Sequence, residues 1–500
     1  KSNAVYHLLD EITKNGQTTF LVVEPAKGEY KNVFGNCTDV QVFGTNPRET
    51  PLLRMNPFAF PENIHILEHI DRLVEIFNAC WPMYAAMPAV LKDAIERSYQ
   101  KVGWDLRNSE SEKGVFPTFF DLLDILPGVI EESHYSKDTQ SDYVGALCTR
   151  VKSLTNGIYG SVLCAEDALT DEALFDRNVI VDLSRVGSME TKSLLMGILV
   201  MKLQEYRMCS SGMNSRLRHV TVLEEAHNLL RKTSAEQSQE GANLQGKSVE
   251  MLANAIAEMR TYGEGFIIAD QAPGLLDMSV IRNTNTKIIL RLPDEEDRKL
   301  VGKSAALKEA QIDELSKLPL GVAAVYQNEW PEAVLCKIEA YPMPENAVYH
   351  KPSKMPHEIN AEFVFGQLAV GKELEPLSSS EMEQLKLWLK RHETVLKPED
   401  SRYLERVFAG GELDVAKTRK AVFDFFGGIS TVVDYCAAAE KSFTPRKEFL
   451  EQLQGQYGLK AAAADWVLNS VISMGMSLNP DAEAVEDLRT NFEQQGGRVL

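Results

Sequence analysis

The stretch Arg218–Leu230, RHVTVLEEAHNLL, carries the reading of the fold. His219 to Val222 are mostly apolar and β-prone, Leu223 ends the run, and two adjacent carboxylates follow, Glu224 and Glu225, then Ala226-His227-Asn228. A buried strand ending in paired acids is how a parallel α/β sheet presents carboxylates at its ligand-binding edge. One acid there can hold a Mg²⁺ shell while its neighbour polarises an attacking water, the division of labour that nucleotide hydrolysis needs. Taken alone, the same residues also describe a strand running out into a solvated acidic turn.

The start of the chain separates the two readings. Lys1-Ser2 heads a helix and matches the last part of the phosphate-loop pattern G-x-x-x-x-G-K-[ST]. The glycines that would precede Lys1 are not in the sequence, and the first residue is not Met. The chain is therefore expected to be a fragment cut inside its own phosphate loop.

Outward from these two points, strands and helices alternate. Asn3–Lys14 reads as a helix with Val5, Leu8, Leu9 and Ile12 on one face and Gly16 ending it. Thr18–Val23 is a strand that empties into Glu24-Pro25-Ala26-Lys27-Gly28-Glu29-Tyr30, which places charged groups at the same sheet edge as Glu224 or, the reading preferred from this piece alone, forms a solvated turn. From Met55 to Ser161 the pattern is helical, with an amphipathic run at Ile64–Phe77. His65 and His69 stand four apart on it and are expected on the helix surface rather than on a metal, since no third ligand is near. Strands return at Asn178–Leu183, then a helix at Thr191–Tyr206, then the opening stretch. Leu230–Glu250 is polar and expected to be a mobile loop; its Arg231, Lys232 and Lys247 suit either a nucleic-acid pore or plain solvent. Val249–Tyr262 reads as a helix containing Arg260, and Gly265–Ala269 as a strand capped by Asp270-Gln271. Lys287–Leu292, Val322–Gln327 and Ala333–Glu339 complete the series, which implies a mostly parallel sheet covered on both faces.

The expected domains are an α/β core in two parts, 1–54 and 162–340, a helical insertion at 55–161, a proline-rich linker at 341–358, and a helical C-terminal domain at 359–500. Ser378-x-x-Glu381 is a capping-box start for one helix of that last domain. It carries no chemical motif and is expected to serve as an interaction or lid domain.

Composition bounds the function classes. With 25% charged and 44% apolar residues over 500 positions, the chain is an ordinary globular protein with ample core. The longest apolar run, Leu194–Met201, is far shorter than a membrane span of about 20 residues, so no membrane segment is expected. The seven cysteines (37, 80, 148, 164, 209, 336, 436) are scattered without a C-x-x-C, which points to reduced thiols and a cytoplasmic location. A formal charge of 53 − 72 = −19 argues against a broad nucleic-acid-coating surface but leaves room for a local basic channel.

In the order KSN, LVVEPAKGEY, VIVDLS, VTVLEEAHNLL, MRTYGEGFIIADQAP, NTNTKIILRLPDEED and LPLGVAAVYQ, residues 1–340 resemble the HerA/FtsK superfamily. More narrowly they resemble the HerA-like ATPases of bacterial operons, with type IV secretion ATPases as near relatives. The C-terminal region resembles no family. The resemblance implies a RecA-like P-loop core that uses ATP and Mg²⁺, assembles as a ring, usually a hexamer, and pumps duplex DNA, paired with a nuclease or other effector in anti-phage defence or DNA end processing. It places Lys1, Ser2 and Asn3 at the nucleotide, with Lys1 on the β- and γ-phosphates, and Ser2 with Glu224 at the metal. Glu225 takes the water-activating position and Gln271 the γ-phosphate sensor. Arg260, in preference to Arg282, takes the place of an arginine given to the neighbouring subunit. Two departures stand out: Glu rather than the commoner Asp at 224, and the missing glycine half of the loop with any N-terminal β-barrel. A secretion or conjugation ATPase and a nucleotide-gated scaffold for an effector are the alternatives.

Overall fold

The computed structural model describes all residues except 17, 85, 112–113, 166–167, 234–243, 344–346, 352–358, 372–373, 394, 440, 443 and 500, and the side chains of 15, 380 and 391. The chain divides into two compact units, Lys1–Lys351 and Pro352–Leu500.

The first unit is built on a five-stranded parallel sheet: β1 (Thr19–Glu24), β2 (Val40–Gly44), β3 (Asn178–Asp182), β4 (His219–Glu224) and β5 (Glu264–Ala269), in the order β2-β3-β1-β4-β5. Alternate residues of each central strand enter different cores. Phe20, Val22, Ile180 and Val222 pack on one face with Val5, Tyr6 and Leu9 of α1 (Ser2–Asn15) and with Tyr30, Val33 and Phe34 of α2 (Tyr30–Phe34). Leu21, Val23, Val179, Val181 and Leu223 pack on the other, under α3 (Ile66–Cys80), α4 (Met189–Ser210) and α5 (Leu244–Glu258). Burial on both faces explains why these strands read as continuous apolar runs.

Three expectations fail here. Strand β2, VQVFG, was not anticipated: its Gln41 and its polar approach, Asn36 to Asp39, hide a short edge strand. The strands at Thr286–Ile289, Val322–Gln327 and Val334–Lys337 do not extend the parallel sheet. They form a separate antiparallel sheet with Ile288, Val325 and Val334 in one row. The six residues between the last two strands are too few for a parallel crossover. His69 is not on a helix surface but fully buried, with Nδ1 3.0 Å from both Glu205 oxygens and its ring stacked on Phe60. His65 caps α3, accepting from the Leu67 amide at 3.2 Å.

The polar stretch after Leu230 lies partly outside the described residues, but from Leu244 it is helix α5, which carries Lys247. Residues 55–175 are mainly helical, with a two-stranded ribbon at Trp104–Asp105 and Glu110–Ser111. The first half of the expected linker is strapped to the first unit: the Tyr341, Tyr349 and His350 amides donate to Asn3, Asn32 and Asn36 at 2.7, 3.0 and 3.0 Å.

The second unit is helical around Phe365, Leu404, Val422, Tyr435, Val467 and Phe492. Ser378 and Glu381 form the anticipated capping box at the head of Ser379–Arg391, whereas helices Ala361–Val370, Ile429–Ala439 and Ala482–Gln494 were not anticipated. Among the described residues no single helix is long and apolar enough to cross a membrane. One pair bent by 70°, Val415–Phe425 with Ile429–Ala439, passes by length and composition, and it buries Val422, Phe425 and Tyr435 in this core.

Candidate functional site

Every central strand releases an acid at its carboxyl end: Glu24 from β1, Asp182 from β3, Glu224 and Glu225 from β4, and Asp270 just beyond β5. β1 lies between β3 and β4, so the chain turns to one side of it and then the other, and the crevice outside the carboxyl ends at such a switch is where open α/β sheets bind ligands. α1 begins at this same edge, with no side-chain cap and no acid in its first turn. A helix N-terminus of that kind favours an anion.

The Lys1 ammonium stands between the paired acids, 2.6 Å from Glu224 Oε2 and ion-paired with Glu225 Oε1. Glu225 is in the left-handed conformation, φ 45° and ψ 51°. Neighbours on a regular strand point to opposite faces; the left-handed turn brings both carboxylates to one ammonium. Burial acts to raise the Glu225 pKa, but hydrogen bonds from Lys1 and Gln271 outweigh it and hold the carboxyl below its usual range. Burial likewise acts to lower the Lys1 pKa, and the two glutamates overcome it. The Gln271 carboxamide donates to Glu225 Oε1 at 2.6 Å. Asp270 Oδ2 accepts from both the amide and Nδ1 of His227, each at 2.9 Å, tying the end of β5 to the turn after β4. Glu225, His227 and Asp270 bring ligand-type atoms within 4.8 Å of one another, and the His227–Asp270 hydrogen bonds account for much of that closeness.

The turn after β1 is not solvated as expected. Glu24 is buried and accepts from the Glu29 and Tyr30 amides at 2.8 and 3.1 Å. Burial pushes its pKa up to about 7. Glu29 accepts the Ser2 hydroxyl proton, and the Tyr30 phenol donates to Glu224 Oε1. Burial and Glu224 raise the Tyr30 pKa, so the phenol stays a donor. Sequence reasoning passed over Tyr30 and over His227; the signal for Tyr30 was its place six residues past a buried strand that ends in acid.

Lys1, Ser2, Glu224, Glu225 and Gln271 are thus brought together. Asn3 turns elsewhere: its carboxamide donates to the Glu339 carbonyl at 2.8 Å and accepts from the Tyr341 amide at 2.7 Å. Arg260 is exposed in the turn before β5, at the amino edge of the sheet. One strand of six residues, about 20 Å, separates it from the carboxyl edge. Arg282 follows the carboxyl end of β5, on the helix Met278–Asn283.

VirB4 of Thermoanaerobacter pseudethanolicus superposes on 67% of this chain and 84% of its own, with a TM-score of 0.51 at 19% identity. That likeness is one of fold, a mostly parallel α/β core shared with VirB4. Two curated proteins resemble part of this chain: a probable helicase of Methanocaldococcus jannaschii, 30% identical over 123 residues, and the DNA double-strand break repair helicase HerA of Sulfolobus acidocaldarius, 32% identical over 124. Each match covers 24% of the chain and less than a quarter of the relative, 22% and 23%. No family model matches.

Proposed function

We propose that the chain is the motor part of a Mg²⁺- and ATP-dependent, ring-forming DNA translocase of the HerA type, hexameric and cytoplasmic, working with a nuclease or other effector in anti-phage defence or DNA end processing. The observation that carries the proposal is the convergence of Lys1, Glu224, Glu225 and Gln271 at the carboxyl edge. The donor set fits the two groups that such a motor needs. The Lys1 ammonium at an uncapped helix N-terminus suits phosphate, and the oxygens of the Ser2 hydroxyl and the buried Glu224 carboxylate suit a hard divalent cation. Ser2 and Glu224 would hold Mg²⁺, which would neutralise charge developing on the transferred phosphoryl group.

In this reading Lys1 changes partners. A phosphate anion draws its ammonium away from the two glutamates, and Glu225, ionised at neutral pH, becomes free to accept a proton from water. Gln271, bonded to Glu225, reports the change to the end of β5. The Asn3 side chain is committed to residues 339–341, so its backbone amide is what remains for a phosphate. Arg260 is too far from its own site, and its exposure suits a role in a neighbouring subunit's site.

ATP hydrolysis by the full-length protein, with and without duplex DNA and beside Glu225→Gln, tests the proposal. Expected are DNA-stimulated turnover and a loss of more than about 100-fold in the variant with assembly preserved. The likeness to VirB4 favours a second reading, a secretion-type ATPase, which hydrolysis indifferent to DNA would support. A Glu225→Gln protein as active as the parent would remove the catalytic assignment and leave the scaffold reading.

A further inference from the structure

The turn between β1 and α2 touches the site through two consecutive side chains. Glu29 accepts the proton of the Ser2 hydroxyl, and the Tyr30 phenol donates to Glu224 Oε1. These are the two residues assigned to the metal in the function proposed above, on which this inference rests. We propose that Glu29 and Tyr30 are positioning residues for the divalent cation, fixing the direction in which Ser2 and Glu224 present their oxygens.

The argument is one of counting lone pairs. A serine hydroxyl has one proton and two lone pairs. With the proton committed to Glu29, the lone pairs are the part of the hydroxyl left for a cation. Glu224 has one oxygen held by Tyr30 and the other by Lys1 at 2.6 Å. When Lys1 turns to a phosphate, Oε2 is released while Tyr30 keeps the carboxylate plane in place. The longer arm of Glu at 224, compared with Asp, gives this restraint a purpose: the extra methylene adds a torsion that the phenol removes.

The two positioning groups are themselves rigidly held. Glu24 accepts both of their amides, the Tyr30 ring is buried in a T-shaped contact with Tyr6, ring centroids 5.1 Å apart, and Gly28, at φ 65°, lets the chain reverse just before them. A Cβ at Gly28 would lie 3.0 Å from Ser184 Oγ and 3.2 Å from Asp182 Oδ2, so the turn is also pressed against the end of β3.

Binding of a fluorescent ADP to the full-length protein, followed while Mg²⁺ is raised from an EDTA-buffered baseline, separates this role from a general one. Glu29→Ala and Tyr30→Phe should each raise the Mg²⁺ midpoint roughly ten-fold, the loss typical of removing a partner of a metal ligand, while affinity in EDTA stays at the parental value. Glu29→Gln should lie between, because its amide oxygen still accepts the Ser2 proton. Midpoints within about two-fold of the parent in both Glu29→Ala and Tyr30→Phe would overturn the inference, as would losses of equal size in EDTA. A parent whose ADP binding ignores Mg²⁺ would instead overturn the functional reading beneath it.

Discussion

Replacing Glu264 by glutamine tests what fixes the register on which the site depends. Glu264 opens β5 opposite His219, and five residues on, Ala269 lies opposite Glu224. Its carboxylate is wholly buried and receives His219 Nδ1 at 2.7 Å, Thr221 Oγ1 at 2.8 Å and Arg207 Nε at 2.9 Å. Arg207, itself buried, also binds Asp176 at 2.7 Å and the Phe175 carbonyl. Three donors converge on two oxygens. Glutamine offers one oxygen and turns an amide NH₂ towards the donors, so at least one buried donor is orphaned and the guanidinium loses its fully buried counter-ion. Removing one partner of such a pair costs about 3–5 kcal/mol. Asp176 still compensates part of the Arg207 charge, which places the expected loss near the lower bound, about 3 kcal/mol.

Urea unfolding of parent and variant at pH 7 measures that loss, and a pH series adds a second signature. Burial acts to raise the Glu264 pKa, but His219 and Arg207 outweigh it and leave it depressed. A depressed carboxylate contributes stability that is present above its unfolded pKa of about 4.3 and is lost as pH falls through the folded value. The parent should therefore lose stability below about pH 4.3 more steeply than the variant. A variant within about 1 kcal/mol of the parent at pH 7, with parallel curves in acid, would refute the reasoning.

Two further outcomes follow from the turn after β1. Glu24 has the opposite sign: with its folded pKa raised to about 7, the folded state holds a proton that the unfolded state gives up earlier. Its contribution should fall as pH rises from about 4.3 towards 7, and Glu24→Gln should flatten that part of a thermal-unfolding pH profile. Gly28→Ala should cost about 1–2 kcal/mol in urea, since the added Cβ meets both a left-handed backbone and the Asp182 and Ser184 side chains; an unchanged midpoint would mean that the turn relaxes freely.

The strands at the heart of the sheet were legible because burial on both faces writes them as apolar runs: TFLVVE, NVIVD and HVTVLE fall within a residue or so of their expected bounds. Val40–Gly44 was not, since an edge strand with a polar middle lacks that signature. The antiparallel sheet was legible in principle, from the short connector at 328–333, but strand type alone says nothing about partner or direction. At the candidate site, motif order singled out Lys1, Ser2, Glu224, Glu225 and Gln271, which the fold gathers at one edge of the sheet. Glu24 and His69 were misplaced on the surface because a charge in a sequence does not announce the amides or the carboxylate that make its burial tolerable.

The left-handed backbone at Glu225 also bears on how this chain responds to mutation. A non-glycine residue held there stores roughly 1–3 kcal/mol. Glycine at that position would relax the turn while deleting the carboxylate, so loss of chemistry and gain of stability would come from one change. Selection for a sturdier fold alone would push position 225 away from glutamate, and on the proposed function selection on turnover would hold it there. An inactive protein made by Glu225→Gly would therefore mislead as a control, because it alters the backbone as well as the charge; Glu225→Gln, which keeps the side chain's shape, isolates the chemistry.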